Sequence, residues 1–265
     1  MDGTGSGDNR KTGRDAARPS IARKEREAKS AAAPLQFYRT ASLPCPYIEG
    51  RTERKLVTEL VGRDGIGFYN ELSRGGFRRS HHLAYRPACA GCNACIPVRI
   101  VAPDFAPGRS LRRVAQRNAD LRVGMGETKA SIDQFRMFMR YQRSRHHDSE
   151  MASMTYGDYR AMIEDSPVES RLIDMHGPDG AILGACLVDL LDDGVSAVYS
   201  FYDLDEAKRS LGSYLILALI AETRRLHLPY LYLGYWIGES PKMAYKSRFR
   251  PLEGLSAQGW TLIDP

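Results

Sequence analysis

Hydrophobic and polar positions change period several times along the chain. After Thr52, the stretch ERKLVTELV sets Leu56, Val57, Leu60 and Val61 on one face of a helical wheel, which predicts an N-capped amphipathic helix. A short helix is expected over 67–73, stopped by Gly75-Gly76, followed by strands over 82–85 and 97–102 that flank a cysteine loop. The stretch 103–108 breaks the pattern, and 110–118 reads as a basic helix. Ile132, Phe135, Phe138 and Met139 fall at helical spacing behind Ser131, a capping residue, and 155–164 reads as a further helix.

From residue 170 the period shortens. Stretches 170–175, 182–191 and 195–202 read as successive strands, parted by the turn-formers Gly177-Pro178-Asp179-Gly180 and Asp192-Asp193-Gly194. A strongly apolar helix, SLGSYLILALIAETRRLH, then starts near Ser210, and a strand over 230–235 follows at once. An antiparallel meander, a helix opening on a glycine turn and a further strand resemble the core of the GNAT acyltransferase fold. The expected fold class is therefore α+β: a GNAT-like domain over 126–265 behind an N-terminal α/β domain, 35–125, that carries the cysteine-rich loop. Residues 1–34 contain almost no large apolar side chain. Such a segment cannot bury enough surface to offset its ordering entropy and is expected to be a disordered basic tail.

Composition narrows the function classes. The chain has 265 residues, 43% hydrophobic and 26% charged, and lacks any apolar run long enough to span a membrane. The N-terminus MDGTGSGDNRKTGRDAARPS has no apolar signal core, so a cytoplasmic location with no membrane partner is expected. Five cysteines in such a chain point to reduced thiols and not to a disulfide frame. The net charge of +6 suits a polyanionic partner.

Three motifs carry chemistry. Cys89, Cys92 and Cys95 form C-x2-C-x2-C, and Cys45, in LPCPYIEG, is the natural fourth ligand of a zinc or iron–sulfur site. His81 and His82 are substitute ligands, of which a strand would turn only one towards the site. Cys186 lies in an apolar stretch and reads as core. In KRSLGSYL, Arg209 and Gly212 fit the glycine turn with which GNAT enzymes hold the coenzyme A pyrophosphate. Tyr214 occupies the last small position of that turn, which argues against the coenzyme. Finally, Trp236, Lys242, Tyr245, Lys246, Arg248 and Arg250 crowd into fifteen residues, a mixture suited to stacking on bases and pairing with phosphates.

FYRTASLPCPYIEGR, LSRGGFRRSHHLAYRPACAGCNACIPVRI and LYLGYWIGESPKMAYKSRFRPLE resemble the arginyl-tRNA–protein transferase family, and within it the bacterial aspartate/glutamate leucyltransferase branch. The resemblance runs from about Gln36 to the C-terminus. It implies transfer of leucine from Leu-tRNA to the N-terminal amine of proteins that begin with Asp or Glu, a step of the N-degron pathway. It implies no cofactor for the chemistry itself. Eukaryotic members carry C-x-x-C where this chain has Cys45 and Ile48, and an adjacent cysteine pair where it has Ala94-Cys95. Cys89 and Cys92 restore the count to four. The acceptor's carboxylate calls for a cation, and Arg78, Arg79, Tyr85, Arg86, Lys242, Tyr245 and Lys246 are the candidates for acceptor or tRNA binding. No general base stands out. Competing readings are arginyl transfer from Arg-tRNA, a coenzyme A-dependent acetyltransferase, a peptidoglycan-type aminoacyl-tRNA transferase, and a non-catalytic zinc-ribbon RNA-binding protein.

Overall fold

The computed structural model describes residues 1, 36–60, 65–147 and 149–264. The expected tail, 1–34, lies outside the described residues apart from Met1. Residues 35–265 form one unit.

Most of that unit is built on an eight-stranded sheet of order β14-β13-β7-β12-β11-β10-β9-β8. Its strands are β7 (Ile96–Val101), β8 (Arg122–Gly126), β9 (Ser170–His176), β10 (Ile182–Leu190), β11 (Gly194–Tyr202), β12 (Tyr230–Trp236), β13 (Leu252–Ser256) and β14 (Gly259–Leu262). β8 to β11 make the expected antiparallel meander. A crossover helix, Leu211–Arg225, then returns the chain to pair β12 parallel with β11. β7 and β8 precede residue 126, yet both belong to this sheet, and β7 pairs with β12 and β13 at its centre. The expected division into domains at 125/126 is therefore corrected: the sheet closes only with strands from both sides of it.

A smaller sheet of order β1-β4-β6-β5 packs nearby, from β1 (Tyr38–Arg39), β4 (Lys55–Glu59), β6 (Leu83–Pro87) and β5 (Arg78–Ser80), beside the two-stranded β2 (Leu43–Pro44) and β3 (Thr52–Glu53). The helix expected after Thr52 is thus a pair of strands, and Val61 lies outside the described residues. Leu56 and Val57 suit either period; what decides is pairing of β4 on both edges, with β1 and β6.

The helices are α1 (Gly65–Arg74), α2 (Arg109–Arg117), α3 (Ile132–Arg145), α4 (Tyr156–Glu164) and α5 (Leu211–Arg225). Ser131 and Thr155 each cap their helix with a reciprocal capping box, through Gln134 and Asp158. The sheet is covered on both faces, so β10 is apolar on both. Cys186 and Val188 join Leu111 of α2 and Leu215 and Leu219 of α5 in one core, while Ala185 and Leu187 join Phe138 of α3 and Tyr159 of α4 in another. Cys186 is fully buried, as expected.

A buried ion pair fastens the small sheet to the large one. Arg79 of β5 donates from Nε and Nη2 to the two carboxylate oxygens of Asp189 on β10, both at 2.7 Å. Ser170 Oγ (2.7 Å) and Tyr69 Oη of α1 (2.9 Å) complete the carboxylate's shell. The two side chains are 1% and 0% exposed, so Arg79 has no access to a ligand. Its expected role in acceptor binding is corrected to a structural one.

Candidate active site

The parallel pairing of β11 and β12 is short. It joins Gly194 to Tyr230, Val195 to Leu231 and Ser196 to Tyr232, and then stops, although both strands continue. The outer edges of both remain paired, β11 with β10 and β12 with β7. The inner edges therefore diverge into a wedge whose backbone carbonyls have no ladder partner, and a buried carbonyl without a donor is costly.

Two basic side chains fill that role. Arg78 of β5 donates from Nη2 to the carbonyls of Ala197 and Val198 on β11. Lys246, on the 3-10 segment Pro241–Arg248, donates from Nζ to the carbonyls of Leu233 (2.9 Å) and Tyr235 on β12. Gly234, between those two, has a positive φ of 76°, and a Cβ there would stand 2.9 Å from the Arg78 guanidinium. Only glycine lets the guanidinium lie against the strand.

Among the described residues, no carboxylate pairs with Arg78 or Lys246, which meet only carbonyls. Lys246 is 6% exposed. Burial, with the Arg78 charge adding to it, lowers its pKa to about 7. A neutral lysine amine has two N–H donors, which the two carbonyls use, and one lone pair, which remains free. Arg78 Nη1 is buried with no partner. The wedge thus presents an unused base and an unused cationic donor.

Aromatic side chains line the approach. Tyr245 is 40% exposed, while its hydroxyl is pushed up by burial and then by nearby Tyr202. Tyr141 and Tyr202 meet edge to face with centroids 5.1 Å apart. The Tyr202 ring also covers the opening turn of α5, where a Cβ on Gly212 would meet it at 2.8 Å. Tyr214 packs partly against the core, and Arg209 is held by Asp120 and Glu206. Tyr202 thus crowds the same turn in which Tyr214 was expected to stand in the way.

Beside the wedge, the four cysteines surround one small basin of about 80 Å³, lined also by Tyr47, Arg51, Glu53, Lys55, Tyr85 and Tyr235. Tyr235 donates its hydroxyl to the carbonyls of Gly76 (2.9 Å) and Tyr85 (3.2 Å), so the same residue borders both basin and wedge. Burial and the three neighbouring thiols push Cys95 up to about 11. A backbone hydrogen bond from Ala94 and one from Arg51 hold Cys92 below the ordinary thiol value. Four thiols around one basin suit a soft metal or cluster in kind. Among the described residues, however, no three Cys, His, Asp or Glu side chains stand close enough together to hold a metal ion. His81 and His82 do not lie on a strand as expected; they occupy the turn between β5 and β6 and do not line the basin.

Of the acceptor and tRNA candidates, Arg78, Tyr245 and Lys246 converge on the wedge. Tyr85 sits between wedge and basin, its ring 6.4 Å from that of Tyr235. Arg86 is exposed and donates to the Gly75 carbonyl at 2.9 Å. Lys242 is exposed at the start of the 3-10 segment, where its charge helps to lower His146 after burial. Gly234, Tyr235 and Tyr202 were not singled out from the sequence, although a glycine inside an apolar strand is itself a sign of close backbone approach.

Comparison with known proteins places this architecture. Residues 43–113 match the model described as "Arginine-tRNA-protein transferase, N terminus" and residues 133–256 the corresponding C terminus. A protein of Paramagnetospirillum magneticum named aspartate/glutamate leucyltransferase is 53% identical over 232 residues, spanning 88% of this chain and 95% of that protein. Proteins of the same name from Granulibacter bethesdensis and Gluconacetobacter diazotrophicus are each 52% identical, over 86% and 87% of this chain and 85% and 89% of theirs. Among solved structures, "Crystal structure of FemX" is similar at a TM-score of 0.45 and 7% identity, covering 78% of this chain and 81% of that one. With both halves matched by the family's models and about half of its residues identical to those of such relatives, this chain belongs to the arginine-tRNA-protein transferase family.

Proposed function

We propose that this protein transfers leucine from Leu-tRNA to the α-amine of proteins that begin with Asp or Glu, in the cytoplasm, on a GNAT-like core, and so marks them for degradation. Relatives that carry the name aspartate/glutamate leucyltransferase support the substrates. The observation that carries the chemistry is the wedge, in which Arg78 and Lys246 each keep one polar function unused.

The reaction is aminolysis of an ester. The acceptor amine, with an intrinsic pKa of about 7.7–8.0, is partly neutral at cellular pH. Its nitrogen attacks the leucyl carbonyl carbon, the new C–N bond forms, and the bond to the ribose oxygen breaks. Lys246 Nζ takes a proton from the attacking amine and passes it to the ribose oxygen as that oxygen leaves. A base with a pKa near the working pH is the most effective proton acceptor. The half-buried Arg78 guanidinium pairs with the acceptor's side-chain carboxylate. Because the ester is already activated, positioning supplies much of the remaining rate. Tyr202 over the start of α5 opposes a coenzyme A pyrophosphate there, which suits an acyl donor esterified to RNA.

The test is transfer from labelled Leu-tRNA to peptides beginning with Asp, Glu, Ala or Lys. Asp and Glu peptides should be leucylated, with little transfer to the others. Arg78→Ala should lose about 1.5–3 kcal/mol of acceptor binding, the range for hydrogen bonds to charged groups. That is roughly ten- to a hundredfold in the preference for Asp over Ala at 1.4 kcal/mol per decade. Transfer from acetyl-coenzyme A with none from charged tRNA would overturn the reading.

The proposal extends to the basin: its four thiols, Cys45, Cys89, Cys92 and Cys95, draw closer together than they stand here to hold one zinc ion or iron–sulfur cluster. Such binding would stabilise the fold and would not enter the chemistry. Protein purified without oxygen should show stoichiometric zinc or iron by elemental analysis, and Cys92→Ser should lose it. Metal-free protein of undiminished stability would rule the site out.

A further inference from the structure

Exposed cations on this protein are commonly held by carboxylates: Arg136 by Asp133, Arg140 by Asp203, Arg171 by Glu169, Arg225 by Glu222. One face departs from this. α2 turns Leu111 and Val114 into the core and exposes Arg109, Arg112, Arg113 and Arg117. Among the described residues, none of these four meets a carboxylate, and the first turn of the helix has no acidic residue. Arg112 donates to the Pro107 carbonyl at 2.7 Å and Arg117 to that of Lys208, contacts that leave the charges unbalanced.

Two contacts lead from this face to the wedge. Arg117 reaches Lys208, just ahead of α5. Arg248 donates to Ser110 Oγ, in the first turn of α2, at 3.3 Å. Arg248 also ends the 3-10 segment that carries Lys246 into the wedge. Unbalanced guanidinium groups thus continue from α2 to the mouth of the site. Tyr245, on the same segment, offers an exposed ring on which a base can stack.

We infer that this face carries the phosphate backbone of the donor tRNA's acceptor arm, with the aminoacylated 3′ end turned into the wedge. The inference rests on the proposed transfer reaction. An anionic membrane suits the face less well, because a helix lying on lipid must turn apolar side chains outward, and those of α2 face the core.

The experiment compares wild type with Arg109→Gln/Arg113→Gln, an exposed double substitution, and with Lys208→Gln. Each is assayed with Leu-tRNA, with the minimal donor 3′-O-leucyl-adenosine, for binding of uncharged tRNA across a salt series, and for binding to phosphatidylglycerol vesicles. The double variant should raise the KM for Leu-tRNA roughly tenfold and flatten the slope of log K against log salt by about 1.4–1.8, since each phosphate contact contributes about 0.7–0.9. Turnover of leucyl-adenosine should not change. Lys208→Gln should shift the same quantities by about half as much. Unchanged tRNA binding and slope would overturn the inference, as would equal losses on both donors, or loss of binding to phosphatidylglycerol vesicles without any change towards tRNA. If wild type turned over neither donor, the transfer reading would fail, while tRNA binding and its salt slope would still decide the face.

Discussion

Lys246→Met should lower leucyl transfer by about a hundred- to ten-thousandfold, the usual contribution of a positioned base, and leave tRNA binding intact. Methionine is close in length and removes both the lone pair and the charge. The pH profile separates this from a packing defect. In wild type, kcat/KM should rise through pH 7 as Lys246 loses its proton, and rise again as the acceptor amine does so near pH 8. The variant should keep only the second rise. A lysine holds its proton up to about 10.5 when unfolded but only to about 7 in this fold. Between those values the unfolded chain binds the extra proton, so wild-type stability should grow with pH relative to the variant, by up to about 1.4 kcal/mol per pH unit. Urea unfolding of both proteins at pH 7 and pH 9.5 measures this. A stability difference that stays constant with pH would mean that Lys246 remains charged, and its role as a base would be lost.

Arg79→Met should leave chemistry alone and strike the fold. Removing one partner of a buried ion pair strands the other charge, at a cost of about 3–5 kcal/mol. For a chain of this size that corresponds to a fall of roughly 6–20 °C in melting temperature. Asp189 would be left with only Ser170 and Tyr69 as donors. Adding Asp189→Leu to Arg79→Met should recover part of the loss, because no unpaired charge then remains. In the folded fraction, the preference for Asp over Ala peptides should match wild type. A normal melting temperature with altered acceptor choice would return Arg79 to the binding site.

These two neighbours show what the chain made legible. FRRS announced a concentration of charge, but not that Arg78 would line the wedge and Arg79 be buried against Asp189. Strand alternation does require them to point to opposite sides. Deciding which side holds the ligand needed Asp189, far away on β10. The meander, α3 and α4 were legible because turn-formers and capping residues mark their ends locally. The 52–60 region was misread because five residues of strand carry too few periods to tell a spacing of two from one of 3.6, and pairing with β1 and β6 settles the matter at a distance. The thiol basin was half legible: the spacing of Cys89, Cys92 and Cys95 drew attention, and Cys45 does line the same basin. Lys246 stood in a dense row of cations and aromatics, where nothing local distinguishes the one lysine that is buried. Its partners are the Leu233 and Tyr235 carbonyls, made available only because β11 leaves β12 after Ser196.

That divergence carries a hazard of its own. Unpaired strand edges are templates for other chains, and proteins usually shield them with charge or cover. Here two such edges open in the interior of a sheet, beside a site that must admit the ends of other polypeptides. Arg78 and Lys246 already occupy carbonyls of Ala197, Val198, Leu233 and Tyr235 that an invading strand would need. A guest can therefore enter with a side chain or a terminus but cannot zip itself into the sheet. The same two side chains keep the opened sheet from capturing a polypeptide that comes near it.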